Sequence, residues 1–379
     1  MVRALVNGRV LVGGEWVAGR AVLVEGARIA AIVGEAEVPA GGERTDLAAG
    51  SLVPGFIDTQ VNGGGDVLFN EEPTAAGIAA IGAAHRRFGT TGFLPTLISD
   101  DLEVMAAAID AVDAAIGAGV PGVLGVHLEG PFLNPQRKGI HSAEKIRPLT
   151  ADAMAILTRP GRGKRMVTLA PETVAPEAIR QLADAGVIVS AGHTQADCAT
   201  VLEALDHGVR GFTHLFNAMS PLTSREPGTV GAALYDDKSW CGIIVDGFHV
   251  DPLVLRLALR AAPLRRFMLV TDAMPSVGGT SGAFTLNGET IRARDGKCVS
   301  ASGTIAGSDL DMATAVRNCV ELLGLSLEQA SMLASANPAA FLGLDGELGS
   351  IAPGYRADLV LLDEQLRVVK CWIGGEPGG

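Results

Sequence analysis

Gly211-Phe-Thr-His214-Leu-Phe-Asn217-Ala218-Met-Ser-Pro-Leu-Thr-Ser-Arg225-Glu-Pro-Gly228 closes an apolar strand on a histidine, turns sharply, and sets an arginine eleven residues further on. That is the pattern of a metal ligand beside an anion site. It recurs along the chain. His127-Leu-Glu129-Gly-Pro lies upstream, Ala191-Gly-His193-Thr lies between, and Val270-Thr-Asp272-Ala lies downstream, and each ends an apolar run on a polar side chain.

Working outward, the middle of the chain alternates such strands with helical stretches. Strands are expected at 52–58, 92–96, 123–129, 166–172, 187–193, 210–214, 242–247 and 267–272, with helices between them at 74–88, 102–118, 176–185, 196–205 and 252–262. Eight strands with helical crossovers match the size and rhythm of a (β/α)8 TIM-like barrel. A doubly wound open sheet is the rival, but it would concentrate its site in one or two crevice loops. Polar residues at the ends of nearly all eight strands favour the closed barrel. After the eighth strand, Asn287-Gly288 and Asp295-Gly296 predict hairpin turns, and helices are expected from about Ser308 to Leu323 and near 327–336. Both chain ends are β-rich, as in Ala21-Val-Leu-Val-Glu and Ala357-Asp-Leu-Val-Leu-Leu-Asp. They predict a small discontinuous β-sandwich domain, residues 1–51 and 347–379, flanking a barrel at 52–346.

The 379 residues are 48% apolar and 19% charged, an ordinary globular balance. A net charge of −12 disfavours nucleic acid and anionic membranes as partners, yet a local arginine can still hold a small anion. The five cysteines are scattered without a CxxC pair and read as reduced, mostly buried thiols. The start lacks the apolar core of a signal peptide and no apolar run reaches 18 residues, so a soluble cytoplasmic protein is expected. No Walker loop and no Gly-x-Ser-x-Gly elbow is present; Asn62-Gly-Gly-Gly65 lacks the Lys-Ser/Thr that would make it a nucleotide loop.

Glu129 ends the third candidate strand, His193 the fifth and His214 the sixth. A mixed Glu/His set with an open fourth position suits a catalytic zinc, which lowers the pKa of bound water to about 7. Asp272 could take a proton from that water and return it to a leaving amine. His141, in Lys138-Gly-Ile-His-Ser, could polarise a carbonyl oxygen. The turn at Asn217-Ala218 with Arg225 would suit phosphate, and His249 a sugar hydroxyl or phosphate. Each has a plainer alternative: a turn cap at Gly130-Pro131 for Glu129, satisfied core imidazoles for the two histidines, a structural acceptor for Asp272, an exposed loop residue for His141, an internal ion pair for Arg225. His127 shares the strand face of Glu129 and is expected outside the ligand set. His85 and His207 read as surface residues, and Asp251-Pro252 as a helix start.

Pro54-Gly-Phe-Ile-Asp58, His127-Leu-Glu-Gly-Pro131, Gly192-His193-Thr, Thr213-His-Leu-Phe-Asn-Ala-Met219, Arg225-Glu-Pro-Gly228, Val245-Asp-Gly-Phe-His249, Thr271-Asp-Ala and Gly303-Thr-Ile-Ala-Gly-Ser308 together resemble the N-acetylglucosamine-6-phosphate deacetylases of the amidohydrolase superfamily. The resemblance runs from about residue 50 to the end, where Gly349-Ser-Ile-Ala-Pro-Gly-Tyr-Arg-Ala-Asp-Leu-Val also fits that superfamily. It implies the barrel with a β-sandwich, metal ligands at Glu129, His193 and His214, Asp272 as general acid/base and His141 on the substrate carbonyl. It further implies sugar and phosphate contacts from Asn217, Ala218, Arg225 and His249, some donated across a homodimer interface, and Ile305 near the acetyl methyl. The implied reaction is metal-dependent hydrolysis of N-acetyl-D-glucosamine 6-phosphate to glucosamine 6-phosphate and acetate. The N-acetylgalactosamine epimer, another amidohydrolase substrate and a catalytically dead binding barrel are the rivals. Many of the wider superfamily carry His-x-His after the first strand and bind a second metal. Here Gln60-Val61-Asn62 stands instead, so one divalent metal per site is expected: zinc, with iron, cobalt or manganese also compatible. Strand four offers Ala170-Pro171-Glu172 and no lysine, so no carboxylated-lysine bridge is expected.

Overall fold

The computed structural model describes residues 2–39, 41–301 and 303–378. Eight parallel strands run in sequence order around one sheet: β1 (Phe56–Val61), β2 (Thr90–Ile98), β3 (Gly125–Glu129), β4 (Lys164–Leu169), β5 (Ile188–Ala191), β6 (Val209–Phe212), β7 (Trp240–Ile243) and β8 (Phe267–Leu269). The sheet ladder leaves β8 and β1 unpaired along their length. They meet at the carboxyl rim through the parallel bridge Val61–Ala273, where the Asp272 amide donates to the Gln60 carbonyl at 3.0 Å and the Asn62 amide to Ala273 at 2.9 Å. The result is a (β/α)8 barrel with a short closing seam.

The barrel interior is layered. Ile57, Leu94, Met166, Ile188 and Met268 form an apolar floor at the amino end, sealed by Phe341 and Leu342. Above it lies a buried polar layer. His127 Nε2 meets Thr168 Oγ1 at 2.7 Å, Thr168 meets Thr213 at 2.6 Å, and Thr213 meets Ser190 at 2.8 Å. Each of these groups has a partner, which is what burying them requires. His127 thus stands outside the Glu/His set, as its position two residues before Glu129 suggests.

Crossover helices cover the outside, and two of them lie where the sequence gives little sign: Ala151–Thr158 between β3 and β4, and Gly228–Tyr235 between β6 and β7. The first is only two turns long. The second, Gly-Thr-Val-Gly-Ala-Ala-Leu-Tyr, contains poor helix formers and has no side-chain N-cap; it is held by burial of its first six residues. Asp251 does cap a helix, accepting from the Leu253 amide, with Pro252 in the first turn.

Both chain ends build a two-sheet β unit. Its six-stranded sheet sets Leu359–Leu362 antiparallel to Ser51–Pro54, and a four-stranded sheet faces it across Leu5, Val22, Ile29, Leu52, Leu359 and Trp372. Ser51–Pro54 therefore belongs to this sheet, whereas the sequence reading runs it into the first barrel strand. Gly55 marks the break: a Cβ there would lie 2.0 Å from Thr91 Oγ1. After β8 the chain makes an antiparallel excursion, 283–286, 289–294, 297–299 and 305–308. Its tight turns are Asn287-Gly288 (φ 50° and 78°) and Asp295-Gly296 (φ 53° and 78°), both left-handed throughout, as hairpin turns of this kind demand. All five cysteines are free, and among the described residues no helix is long and apolar enough to cross a membrane.

Candidate active site

The strands end one or more residues before most of the polar side chains assigned to them. Only Glu129 lies within its strand. His193 and His214 follow β5 and β6 by two residues, and Asp272 follows β8 by three. All three adopt left-handed backbone, with φ of 48°, 34° and 53°. A non-glycine residue there costs about 1–2 kcal/mol. Three such residues on one barrel rim mark where the fold turns side chains inward at a cost to stability.

These turns bring Glu129, His193 and His214 together, with one ligand atom of each within 4.8 Å of the others, all buried. Glu129 Oε1 lies 3.2 Å from His193 Nε2 and 3.0 Å from His214 Nε2, and the two nitrogens are 3.0 Å apart. His193 Nδ1 donates to the Arg137 carbonyl at 2.8 Å, which leaves the Nε2 lone pair directed at the cluster. Two imidazole nitrogens and a carboxylate oxygen this close repel unless a proton or a cation lies among them. The donor set fits a divalent metal of borderline softness. Burial alone would push Glu129 up and His214 down. Their mutual hydrogen bond and charge outweigh it, so Glu129 is held well below the usual carboxylate range and His214 is raised.

Around this cluster one cavity is lined by Glu129, His141, His193, His214, Asn217, Ala218, His249, Asp272 and Ile305. The Asp272 carboxyl is pushed up to about 6 by burial and then by the charge of Glu129. His141 is driven down to about 3, first by burial and then by His193, so it is neutral. Its Nδ1 accepts from the Ser99 amide at 3.2 Å, which places its proton on Nε2. His249 Nδ1 meets Asp246 Oδ2 at 2.5 Å, fixing the ring at the cavity edge. The excursion after β8 delivers Ile305, which is 37% exposed.

Arg225 is the one sequence candidate not brought to this cavity; it is exposed on the turn before the helix Gly228–Tyr235. His85 corrects the sequence reading. It is fully buried on its helix, and its Nε2 donates to the Gly63 carbonyl at 2.9 Å. His207 is half-buried, its Nδ1 donating to the Glu203 carbonyl. Three contributors escaped the sequence reading. Ser99 holds His141, while Gln60 and Asn62 donate to the site's carboxylates. The two-residue period Asp58, Gln60, Asn62 was the available signal.

Fold and site together define a metal-centre hydrolase of the TIM-barrel class. Residues 51–377 match the amidohydrolase family, and the chain belongs to it. It is 48% identical over 87% of its length to an N-acetylgalactosamine-6-phosphate deacetylase of Shewanella sp. (strain ANA-3), covering 84% of that protein. It is 39% identical over 88% of its length to an N-acetylglucosamine-6-phosphate deacetylase of Bos taurus, covering 85% of that protein. Among solved structures, N-acetylglucosamine-6-phosphate deacetylase from Pasteurella multocida superposes with a TM-score of 0.96 at 34% identity, over 100% of this chain and 99% of that one.

Proposed function

We propose that the chain hydrolyses N-acetyl-D-glucosamine 6-phosphate to D-glucosamine 6-phosphate and acetate, in the cytoplasm and as a homodimer, with one zinc per chain. The observation that carries this reading is the Glu129/His193/His214 cluster sharing one cavity with Asp272 and a neutral His141. The named relatives supply the substrate class.

A divalent metal held by Glu129, His193 and His214 would supply a Lewis acid that polarises the acetamide carbonyl and acidifies the attacking water. Asp272 takes one proton from that water as the new C–O bond forms, then gives it to the sugar nitrogen as the C–N bond breaks. Its raised affinity for protons suits both halves of that transfer. His141, carrying its proton on Nε2, donates to the oxygen that becomes negative in the tetrahedral state. The Asn217-Ala218 turn and His249 hold the sugar phosphate, Arg225 reaches the phosphate of the partner subunit's substrate, and Ile305 packs on the acetyl methyl.

The galacto epimer is the second reading, favoured by the name of the Shewanella relative. Acetate release from both epimers, with metal content determined on the same sample, tests the proposal. Chelator-sensitive turnover preferring the gluco substrate, with close to one metal per chain, supports it. A galacto preference exchanges the epimer, and metal bound without turnover of either sugar rejects the substrate class.

A further inference from the structure

Asp272 does not stand free in the cavity. Asn62 Nδ2 donates to its Oδ1 at 2.6 Å, and Gln60 Nε2 donates to the same oxygen at 3.1 Å. Gln60 Nε2 also reaches Glu129 Oε1 at 3.1 Å, so one amide spans the two carboxylates. The orientation of both amides follows from their neighbours, because an ionised carboxylate oxygen only accepts; turned the other way, each amide would set oxygen against oxygen. Among the described residues no hydrogen bond reaches Oδ2 of Asp272, a half-buried residue that lines the cavity.

The backbone holds this arrangement in register. Asp272 donates its amide to the Gln60 carbonyl at 3.0 Å, and the Asn62 and Gly63 amides both donate to the Ala273 carbonyl, at 2.9 and 3.0 Å. One layer below, Asp58 Oδ2 accepts from the Thr271 hydroxyl at 2.5 Å. The seam that closes the barrel thus fixes the amides and the carboxylate relative to each other, across a residue whose own backbone is left-handed.

We infer that Gln60 and Asn62 are positioning residues that make Oδ2 the proton-carrying atom of Asp272. An oxygen that already accepts two N–H donors keeps the negative charge, so an incoming proton goes to the other oxygen. Without the amides the carboxyl rotates, and a proton on Oδ1 points into the seam. The inference deepens the proposed deacetylase reading and rests on it for the transfer: Oδ2 receives the proton as water adds to the acetamide carbon and releases it to nitrogen as the amide bond breaks, and no other group changes protonation.

The test uses Asn62→Asp, which keeps the shape and removes the donor, and Gln60→Ala with Asn62→Ala. For acetate release, kcat should fall about 100-fold in the double variant while KM stays within about threefold and metal content is unchanged. A kcat within about threefold of the parent in both variants overturns the inference, as does a loss that only tracks lost metal. Crystal structures of the parent and the double variant give a readout without turnover: a rotated or disordered Asp272 carboxylate is expected, and an unmoved one overturns the inference. A parent that hydrolyses neither hexosamine phosphate defeats the substrate reading instead, and leaves the orientation to be judged by the structures.

Discussion

His193, His214 and Asp272 owe their reach into the cavity to left-handed backbone at φ 48°, 34° and 53°. For His214 this gives a prediction opposite to the usual order of small residues. Glycine normally costs about 0.5–1 kcal/mol relative to alanine in regular structure, because it frees the unfolded chain. At φ 34° an alanine carries the steric cost that glycine escapes, and the two effects have similar size. His214→Gly should therefore melt at or above His214→Ala in chelator-treated protein; a clearly less stable glycine variant would refute the strain. His141 lends itself to a kinetic test. With Nδ1 engaged by the Ser99 amide, only Nε2–H faces the chemistry. His141→Ala should lower kcat about 10²–10³-fold with metal retained, the scale set by losing one oxyanion donor. Ser99→Ala keeps the backbone donor, so its kcat should stay within about tenfold of the parent.

At the level of elements, the loop that follows β8 is tied to the loop after β1 by one carboxylate. Asp66 accepts from the Ser281 hydroxyl at 2.6 Å and amide at 3.1 Å, and from the Thr280 amide at 2.8 Å and hydroxyl at 3.1 Å. These bonds hold it down at about 2, from 3.8. A depressed carboxyl stabilises the fold above its unfolded value and loses that contribution as pH falls through the folded one. Asp66→Ala should thus lower the melting temperature at pH 6, and the gap should narrow between about pH 4 and 2; a gap independent of pH would refute the role. The neighbouring hairpins were legible because Asn-Gly and Asp-Gly at 287–288 and 295–296 carry their own backbone preference. The barrel rhythm was legible because buried parallel strands read as apolar runs. The helix Gly228–Tyr235 was not, since its composition opposes the helix that its burial imposes. The strand ends were read too long for a similar reason. His193, His214 and Asp272 continue the apolar runs in sequence, but their backbone leaves the ladder, and one residue type in the left-handed region gives no local sign. Gln60 and Asn62 could be read as the absence of metal ligands, whereas their hydrogen bonds to Asp272 depend on a residue 210 positions away from Asn62.

In the whole molecule, Arg225 stands apart from the other residues proposed to hold substrate. It is exposed and outside the cavity lined by Asn217, Ala218 and His249. Exposed apolar side chains stand on the segments next to it: Leu222 is 57% exposed and Tyr235 80%, and Leu253 and Leu257 protrude from the helix Pro252–Ala261, which packs beside Gly228–Tyr235. Exposed apolar side chains of this kind suit an isologous interface, and we propose that in the dimer each subunit lends its Arg225 to the other. The proposed phosphate contact then acts between subunits, and mixed dimers test it. Arg225→Ala alone should raise KM for the 6-phosphate sugar with little change in kcat, while Asp272→Asn alone should be inactive with its metal retained. When the two variants are unfolded, mixed in equal amounts and refolded, half the dimers contain one of each. In such a dimer one site combines Asp272 of the first chain with Arg225 of the second and is intact, and the other site lacks both. The mixture should recover about a quarter of the parent activity at the parent KM. If Arg225 serves its own chain's site instead, every site in the mixture lacks one residue or the other, and low-KM turnover will not return.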